Sequence, residues 1–188
     1  MLQFYKPNAK NTGSACSFSY SKKDKALWVN FIKQSSWNPE SRTGTFKGSG
    51  PEKKANSKFS VTELAGLVHA IETNGEFGNF HGTKERNTTF KFSPYVREGS
   101  QVGYSFTLGQ NNTVEGVKKS FLIGFTFPEG RMLKQYALTV LNNYFTDCIE
   151  ESQYGTSHPP ANKKTEEKVE TSAVTKDNNQ EVNLDVPW

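Results

Sequence analysis

The sequence reads as an α+β protein whose antiparallel sheets are covered by helices. Two observations carry that reading. Apolar residues recur at period two in short runs, and two longer stretches recur at helical spacing, each stretch following a group of such runs. The order is several strands and a helix, twice over. Antiparallel sheets with one face under helices satisfy that order.

The elements follow along the chain. Cys16, Phe18 and Tyr20 alternate with Ser17, Ser19 and Ser21, and Leu27, Val29 and Phe31 alternate with Trp28, Asn30 and Ile32. Thr43–Lys47 is a weaker strand candidate, and residues 35–58, rich in Ser, Gly, Asn, Pro and Lys, read mostly as loop. Ser60-Val61-Thr62-Glu63 fits a capping box, in which Ser and Glu satisfy each other's backbone N–H groups. Val61, Leu64, Ala65, Val68 and Ile71 then recur as a helix stripe, and Asn74-Gly75 ends it, with Gly taking the left-handed conformation.

The second half repeats the plan. Phe77–His81 reads as a strand, followed by rows carrying Phe90/Phe92, Tyr104/Phe106/Leu108 and Phe121/Ile123/Phe125/Phe127. Pro128 suits a first helical position, and a long helix over about residues 128–151 carries Leu133, Tyr136, Ala137, Val140, Leu141, Tyr144, Phe145 and Cys148.

Composition divides the chain into a body, 1–151, and a tail, 152–188. The 188 residues carry a net charge of +4, made of +6 in the body and −2 in the tail, and 22 of the 24 aromatic residues lie in the body. A body so rich in rings can bury a core, whereas the polar, acidic tail reads as disordered. The chain has no apolar run long enough for a membrane helix and no signal-peptide stretch. Its two cysteines, Cys16 and Cys148, make neither a disulfide scaffold nor a zinc site. An intracellular protein is expected.

No catalytic constellation is visible, and the expectation is a non-enzyme without a cofactor. His69, His81 and His158 lack metal-ligand spacing, and Lys47-Gly48-Ser49-Gly50 has the wrong order for a phosphate-binding loop. The positive signal is cations interleaved with aromatics on strands. Lys22, Lys23 and Lys25 precede Trp28, and Lys33 closes that strand. Lys84 and Arg86 precede Phe90-Lys91-Phe92, with Tyr95 and Arg97 after them. Cations neutralise phosphates, and aromatic faces stack on unpaired bases, so this pattern suits single-stranded nucleic acid. The alternating rings must mostly be core. Residues of opposite parity, Trp28 with Asn30 and Ile32, and Tyr95 with Lys91, are the better stacking positions. Those same residues would equally serve a subunit interface, and a lysine-rich turn is commonly just solvated.

At the first helix the chain meets a resemblance. Phe59-Ser60-Val61-Thr62-Glu63-Leu64-Ala65-Gly66-Leu67-Val68 resembles the SLSVTEIGTLV segment of the plant Whirly single-stranded DNA-binding proteins. Ala26–Phe31 is similar to the strand before that helix in the family, and Glu76–His81, which contains Phe80, to the stretch after it. The resemblance implies two antiparallel four-stranded sheets, each followed by a helix. It also implies a homotetramer with helices at its centre, and single-stranded DNA held along the sheets without strong sequence preference. The family's Lys-Gly-Lys-Ala-Ala-Leu motif is absent, the matching strand reading Gly13-Ser14-Ala15-Cys16-Ser17-Phe18. No organelle transit peptide is seen either, and the expectation is the cytoplasm of a bacterial or phage-infected cell.

Leu184-Asp185-Val186-Pro187-Trp188 resembles the tip of bacterial single-stranded DNA-binding proteins, which recruits replication and repair partners. Trp188 would fill an apolar pocket, Pro187 would limit lost entropy, and Asp185 would meet basic groups. The expected function is a protein that coats single strands in replication, recombination or repair. The rivals are an RNA-binding protein or transcription coactivator of related fold, and a structural adaptor whose sheets contact only protein.

Overall fold

The computed structural model describes residues 1–154 apart from Ser49. The tail expectations, including the tip Leu184–Trp188, lie outside the described residues. The fold is α+β, with antiparallel sheets and two helices. The strands are β1 (Leu2–Lys6), β2 (Ser14–Ser21), β3 (Ala26–Lys33), β4 (Ser36–Asn38), β5 (Thr43–Thr45), β6 (Lys54–Phe59), β7 (Phe77–Gly82), β8 (Arg86–Arg97), β9 (Ser100–Asn112) and β10 (Lys118–Phe125). The helices are α1 (Val61–Thr73) and α2 (Phe127–Tyr154). One sheet has the order β1-β2-β3-β6 and the other β10-β9-β8-β7, all neighbours antiparallel. The small β4–β5 hairpin is inserted between the third and fourth strands of the first sheet, a departure from a plain four-strands-and-helix repeat.

Period two decides which side chains go inward. Phe18, Leu27, Val29, Phe31 and Phe59 face inward from the first sheet, and Phe90, Phe92, Phe106, Leu108, Phe121 and Ile123 from the second. The two inner faces meet each other directly, a point the sequence left to the helices. Phe106, fully buried, lies 5.2 Å from Phe31, 6.2 Å from Phe18 and 6.1 Å from Phe59, all ring to ring. Leu64, Leu67, Val68 and Ile71 of α1 and Leu133, Ala137 and Val140 of α2 complete the same core.

The ends of the helices are set by local chemistry. Ser60 accepts from the Glu63 N–H, and the Glu63 carboxylate accepts from the Ser60 N–H at 2.8 Å. Thr126 and Glu129 form the equivalent pair at α2, with the Thr126 N–H donating at 2.7 Å. Glu129 also accepts from Lys6 at 2.5 Å, which clasps β1 to α2. Burial works to raise the Glu129 carboxyl, but hydrogen bonds from Lys6 and Thr126 outweigh it and hold it below its ordinary value.

Several expectations are corrected here. Residues 35–58 are not mostly loop, since they hold β4, β5, the 3-10 turn Pro51–Lys53 and most of β6. In β6 the inward residues Ala55 and Ser57 are too small to show as an apolar alternation. Strand β1 is short and buries only Phe4, too little to show an alternation in sequence. The residue in the left-handed region after α1 is Asn74 (φ 49°), with Gly75 beyond it. Asn74 is favoured there because its side chain accepts the Tyr104 hydroxyl at 2.9 Å. Ala65 faces out and Leu67 in. Phe127 belongs to the helix, not to the last strand, and Phe145 is exposed. Among the described residues no helix is long and apolar enough to cross a membrane.

Candidate nucleic-acid interface

Each inner row that begins in the aromatic core ends in a polar or charged residue, and these ends gather at one place. On β3 the row Leu27, Val29, Phe31 ends in Lys33. On β10 the row Ile123, Phe121 ends in Lys119, and on β8 the row Phe92, Phe90, Thr88 ends in Arg86. On β9 Leu108 gives way to Gln110. The Phe31 and Phe121 rings lie 5.8 Å apart, which aligns the two sheets at this end, and the Lys33 ammonium sits 5.1 Å over the Phe121 ring. Gln110 spans the gap, its Nε2 donating to the Asn56 carbonyl at 2.6 Å.

The result is a mouth between the sheets that neither α1 nor α2 lines, although the short 3-10 turn Pro51–Lys53 does. Its larger cleft, about 690 Å³, is lined by Lys33, Lys53, Lys118 and Lys119, with Glu52 the one carboxylate. A neighbouring hollow of about 470 Å³ shares Lys119 and adds Lys54 and Arg86. None of these six cations pairs with a carboxylate among the described residues, whereas Lys6, Lys22, Lys25, Lys91, Lys134 and Arg97 all do. Six unpaired cations repel one another and raise the local concentration of anions at the mouth.

The residues expected from sequence distribute unevenly around this mouth. Lys33 and Arg86 line it. Lys84 sits beside Arg86 in the β7–β8 turn, with Thr83, Glu85 and Asn112. Lys22 and Lys25 point the other way, into ion pairs with Asp147 (2.7 Å) and Glu151 of α2. The hydrogen bond from Lys22, joined by one from Tyr20, holds the Asp147 carboxyl below its ordinary value against burial. These two lysines therefore anchor the end of α2.

Phe80 and Lys91 lie on the outer face of the second sheet. Phe80 is 57% exposed and shares a cross-strand row with Thr89, Gly109 and Ser120, small residues that leave the ring standing clear. Lys91 lies in the next row and pairs with Glu76 at 2.6 Å. Lys118 belongs to the same outer face and connects it to the mouth. Tyr95, half-exposed, marks the β-bulge at Tyr95/Val96, and Arg97 stands at the hairpin tip, 3.5 Å from Glu98. That tip turns on Glu98 and Gly99, both at positive φ (52° and 78°), as a tight two-residue hairpin requires.

Trp28 lies on the outer face of the first sheet, and its Nε1 donates to Asp24 at 3.1 Å. Hydrogen bonds from Ser21 and Trp28 lower the Asp24 pKa, so the carboxylate that orients the indole stays charged.

Sequence reading missed Lys53, Lys54, Lys118 and Lys119. For Lys118 and Lys119 a usable signal was present, because the pair precedes the alternating row Phe121/Ile123/Phe125, whereas Lys53 and Lys54 precede a strand whose inward Ala55 and Ser57 show no such row. A cation at the foot of the inward rows of β3, β8 and β10 marks one pole of the sheet sandwich.

His81 occupies a serine–histidine–carboxylate chain. Ser57 Oγ lies 3.3 Å from Nδ1 and Glu63 Oε1 lies 2.5 Å from Nε2. Ser57 is 4% exposed and Glu63 is committed to the α1 cap, so the chain clasps β6, α1 and β7 together. Burial works to raise the Glu63 carboxyl, but hydrogen bonds from Ser60, His81 and Asn79 outweigh it and set it below its ordinary value.

No protein-family model matches the chain, and no curated protein matches it in sequence. Solved structures match it in fold. WHY1 from Arabidopsis thaliana is 16% identical with a TM-score of 0.57, over 86% of this chain and 95% of that one. WHY3 from the same plant is 17% identical with a TM-score of 0.56, over 84% and 96%. The plant transcriptional regulator PBF-2 is 15% identical with a TM-score of 0.58, over 81% and 86%. At such identities the likeness is one of fold, and the fold is Whirly-like.

Proposed function

We propose that this chain binds single-stranded DNA without strong sequence preference, and that it coats exposed strands in replication, recombination or repair. The observation that carries the reading is the convergence of six unpaired cations at the mouth between the sheets. Phosphates bound there release condensed counterions, and the exposed ring of Phe80, on the outer face of the second sheet, offers a stacking surface for unpaired bases. The Whirly-like fold supports the reading. A duplex is less suited, because its bases are already stacked and leave Phe80 without a partner.

The proposal extends to a homotetramer in the cytoplasm of a bacterial or phage-infected cell, with Leu184–Trp188 recruiting replication or repair proteins. The protein has no catalytic role in this reading. A second reading, regulation of transcription, is favoured by the fold likeness to PBF-2, described as a transcriptional regulator.

Anisotropy of a labelled mixed-sequence single strand, titrated at low and moderate salt against the matching duplex and an RNA strand, tests the proposal. Strand-selective binding that weakens with salt supports it. A preference for the duplex favours the second reading, and tighter RNA binding moves the substrate to RNA. No binding at low salt removes the nucleic-acid reading.

A further inference from the structure

On the outer face of the first sheet, β3 and β6 build a ladder of three rows. Trp28 stands opposite Lys58, Asn30 opposite Asn56, and Ile32 opposite Lys54. Ser17 of β2 extends the middle row on the other side of Asn30. A cation and an apolar group, the Trp28 indole on one side and the aliphatic Ile32 on the other, thus flank a pair of amides, whose side chains stand about 5 Å apart as directly opposed residues do. Neither amide, nor the Ser17 hydroxyl, has a hydrogen-bond partner among the described residues, so their donors and acceptors are unspent. Neither Lys54 nor Lys58 is paired with a carboxylate there.

The row is joined to the mouth. The hollow that holds Arg86, Gln110 and Lys119 is also lined by Ser17, Asn30, Ile32, Lys54 and Asn56, so it wraps around the start of β6. A strand leaving the mouth over Arg86 and Lys54 reaches the amides next and Trp28 after them. Lys54 and Lys58, four residues apart on an extended strand, stand about 13 Å from each other. That distance spans no more than about four nucleotides of a stacked strand.

We infer that Asn30 and Asn56 read the Watson–Crick edge of one unstacked base that lies against Trp28, while Lys54 and Lys58 take phosphates on either side of it. An amide carries both a donor and an acceptor. Two of them satisfy the acceptor–donor–acceptor edge of thymine, with one amide oxygen accepting from N3–H and amide N–H groups donating to O4 and O2. Stacking alone does not depend on that edge. The site therefore gives a binding mode of otherwise weak sequence preference one position that senses base edges. The inference rests on the proposed single-strand binding and adds a base-selective subsite to it.

The test compares labelled oligothymidine with the same strand methylated at thymine N3, which keeps the stacking face and the phosphates but removes the donor. The full chain and its N30A/N56A variant are titrated with both. The expected result is that the wild-type chain binds the methylated strand about tenfold more weakly, and that the variant binds both strands equally. The side chains of both asparagines lie on the surface without hydrogen bonds among the described residues, and alanine keeps the backbone bonds, so circular dichroism of the variant should match the wild type. Equal binding of the two strands by the wild-type chain overturns the inference and leaves the proposed function standing. Discrimination that persists in the variant places the reading elsewhere and overturns it also. Failure of the wild-type chain to bind either strand at low salt removes the proposed function, and the inference with it.

Discussion

Replacing Lys118 and Lys119 together by alanine removes two of the six unpaired cations of the mouth and touches no residue of the aromatic core. For a single strand, each neutralised phosphate contributes about −0.7 to the slope of log affinity against log salt, so six cations acting as phosphate contacts give about −4 and four give about −3. Between about 50 and 200 mM salt the wild-type chain then loses roughly 300-fold in affinity and the variant roughly 50-fold. The assay is fluorescence anisotropy of a labelled single strand across that salt range. The control is K22A/K25A, which removes the same charge from lysines committed to Asp147 and Glu151. A slope unchanged in K118A/K119A, or lowered equally in K22A/K25A, would refute the mouth as the phosphate track. In the second case net charge alone would account for binding.

Three further outcomes are expected. Phe80→Ala should weaken single-strand binding by about 1–3 kcal/mol without lowering the melting temperature, because the ring is exposed and stacks on no neighbour; an unchanged affinity would move the stacking surface away from β7. Phe106→Ala should cost about 3–5 kcal/mol in denaturant unfolding, since this fully buried ring joins both sheets; a loss under about 1 kcal/mol would mean that the sheets are held together elsewhere. Glu63 has a folded-state pKa below its ordinary value, so its contribution to stability is complete above about pH 4.3 and is lost as pH falls through the folded value. Glu63→Gln should flatten the acid limb of the stability profile, and an identical limb in both proteins would show the cap to be energetically idle.

Much of the fold was legible because period-two rows with large rings declare which face is inside, as in Phe90/Phe92 and Tyr104/Phe106. The capping box at Ser60 fixed a helix start to the residue. The elements that escaped are those whose inward side chains are small. Ala55 and Ser57 of β6 bury as fully as phenylalanines but carry no hydrophobic signature. The candidate site was less legible, for a reason of geometry. Lys22 and Lys25 look free in sequence, and only the return of α2 more than a hundred residues later brings Asp147 and Glu151 to them. Conversely, Lys33, Lys54, Arg86 and Lys119 come from four strands of two sheets, and no local window contains them. Which cations stay unpaired is decided by tertiary contacts, so a reading built on clusters in sequence favours the turn over the mouth.

The clasp between Lys6 and Glu129 bears on how the chain is made. These partners are 123 residues apart, so the first strand is synthesised long before the helix that closes over it. At 5–20 residues per second, the delay is about 6–25 seconds. For most of that interval Phe4, Phe18 and Phe31 have neither Phe106 nor Phe125 to pack against, and the first sheet, if formed, shows a bare aromatic face. Neither half of the architectural repeat owns a core that would let it wait alone. The nascent chain thus has a window of vulnerability to aggregation, set by the order of its elements and shortened only by faster elongation or by a chaperone that occupies the same face.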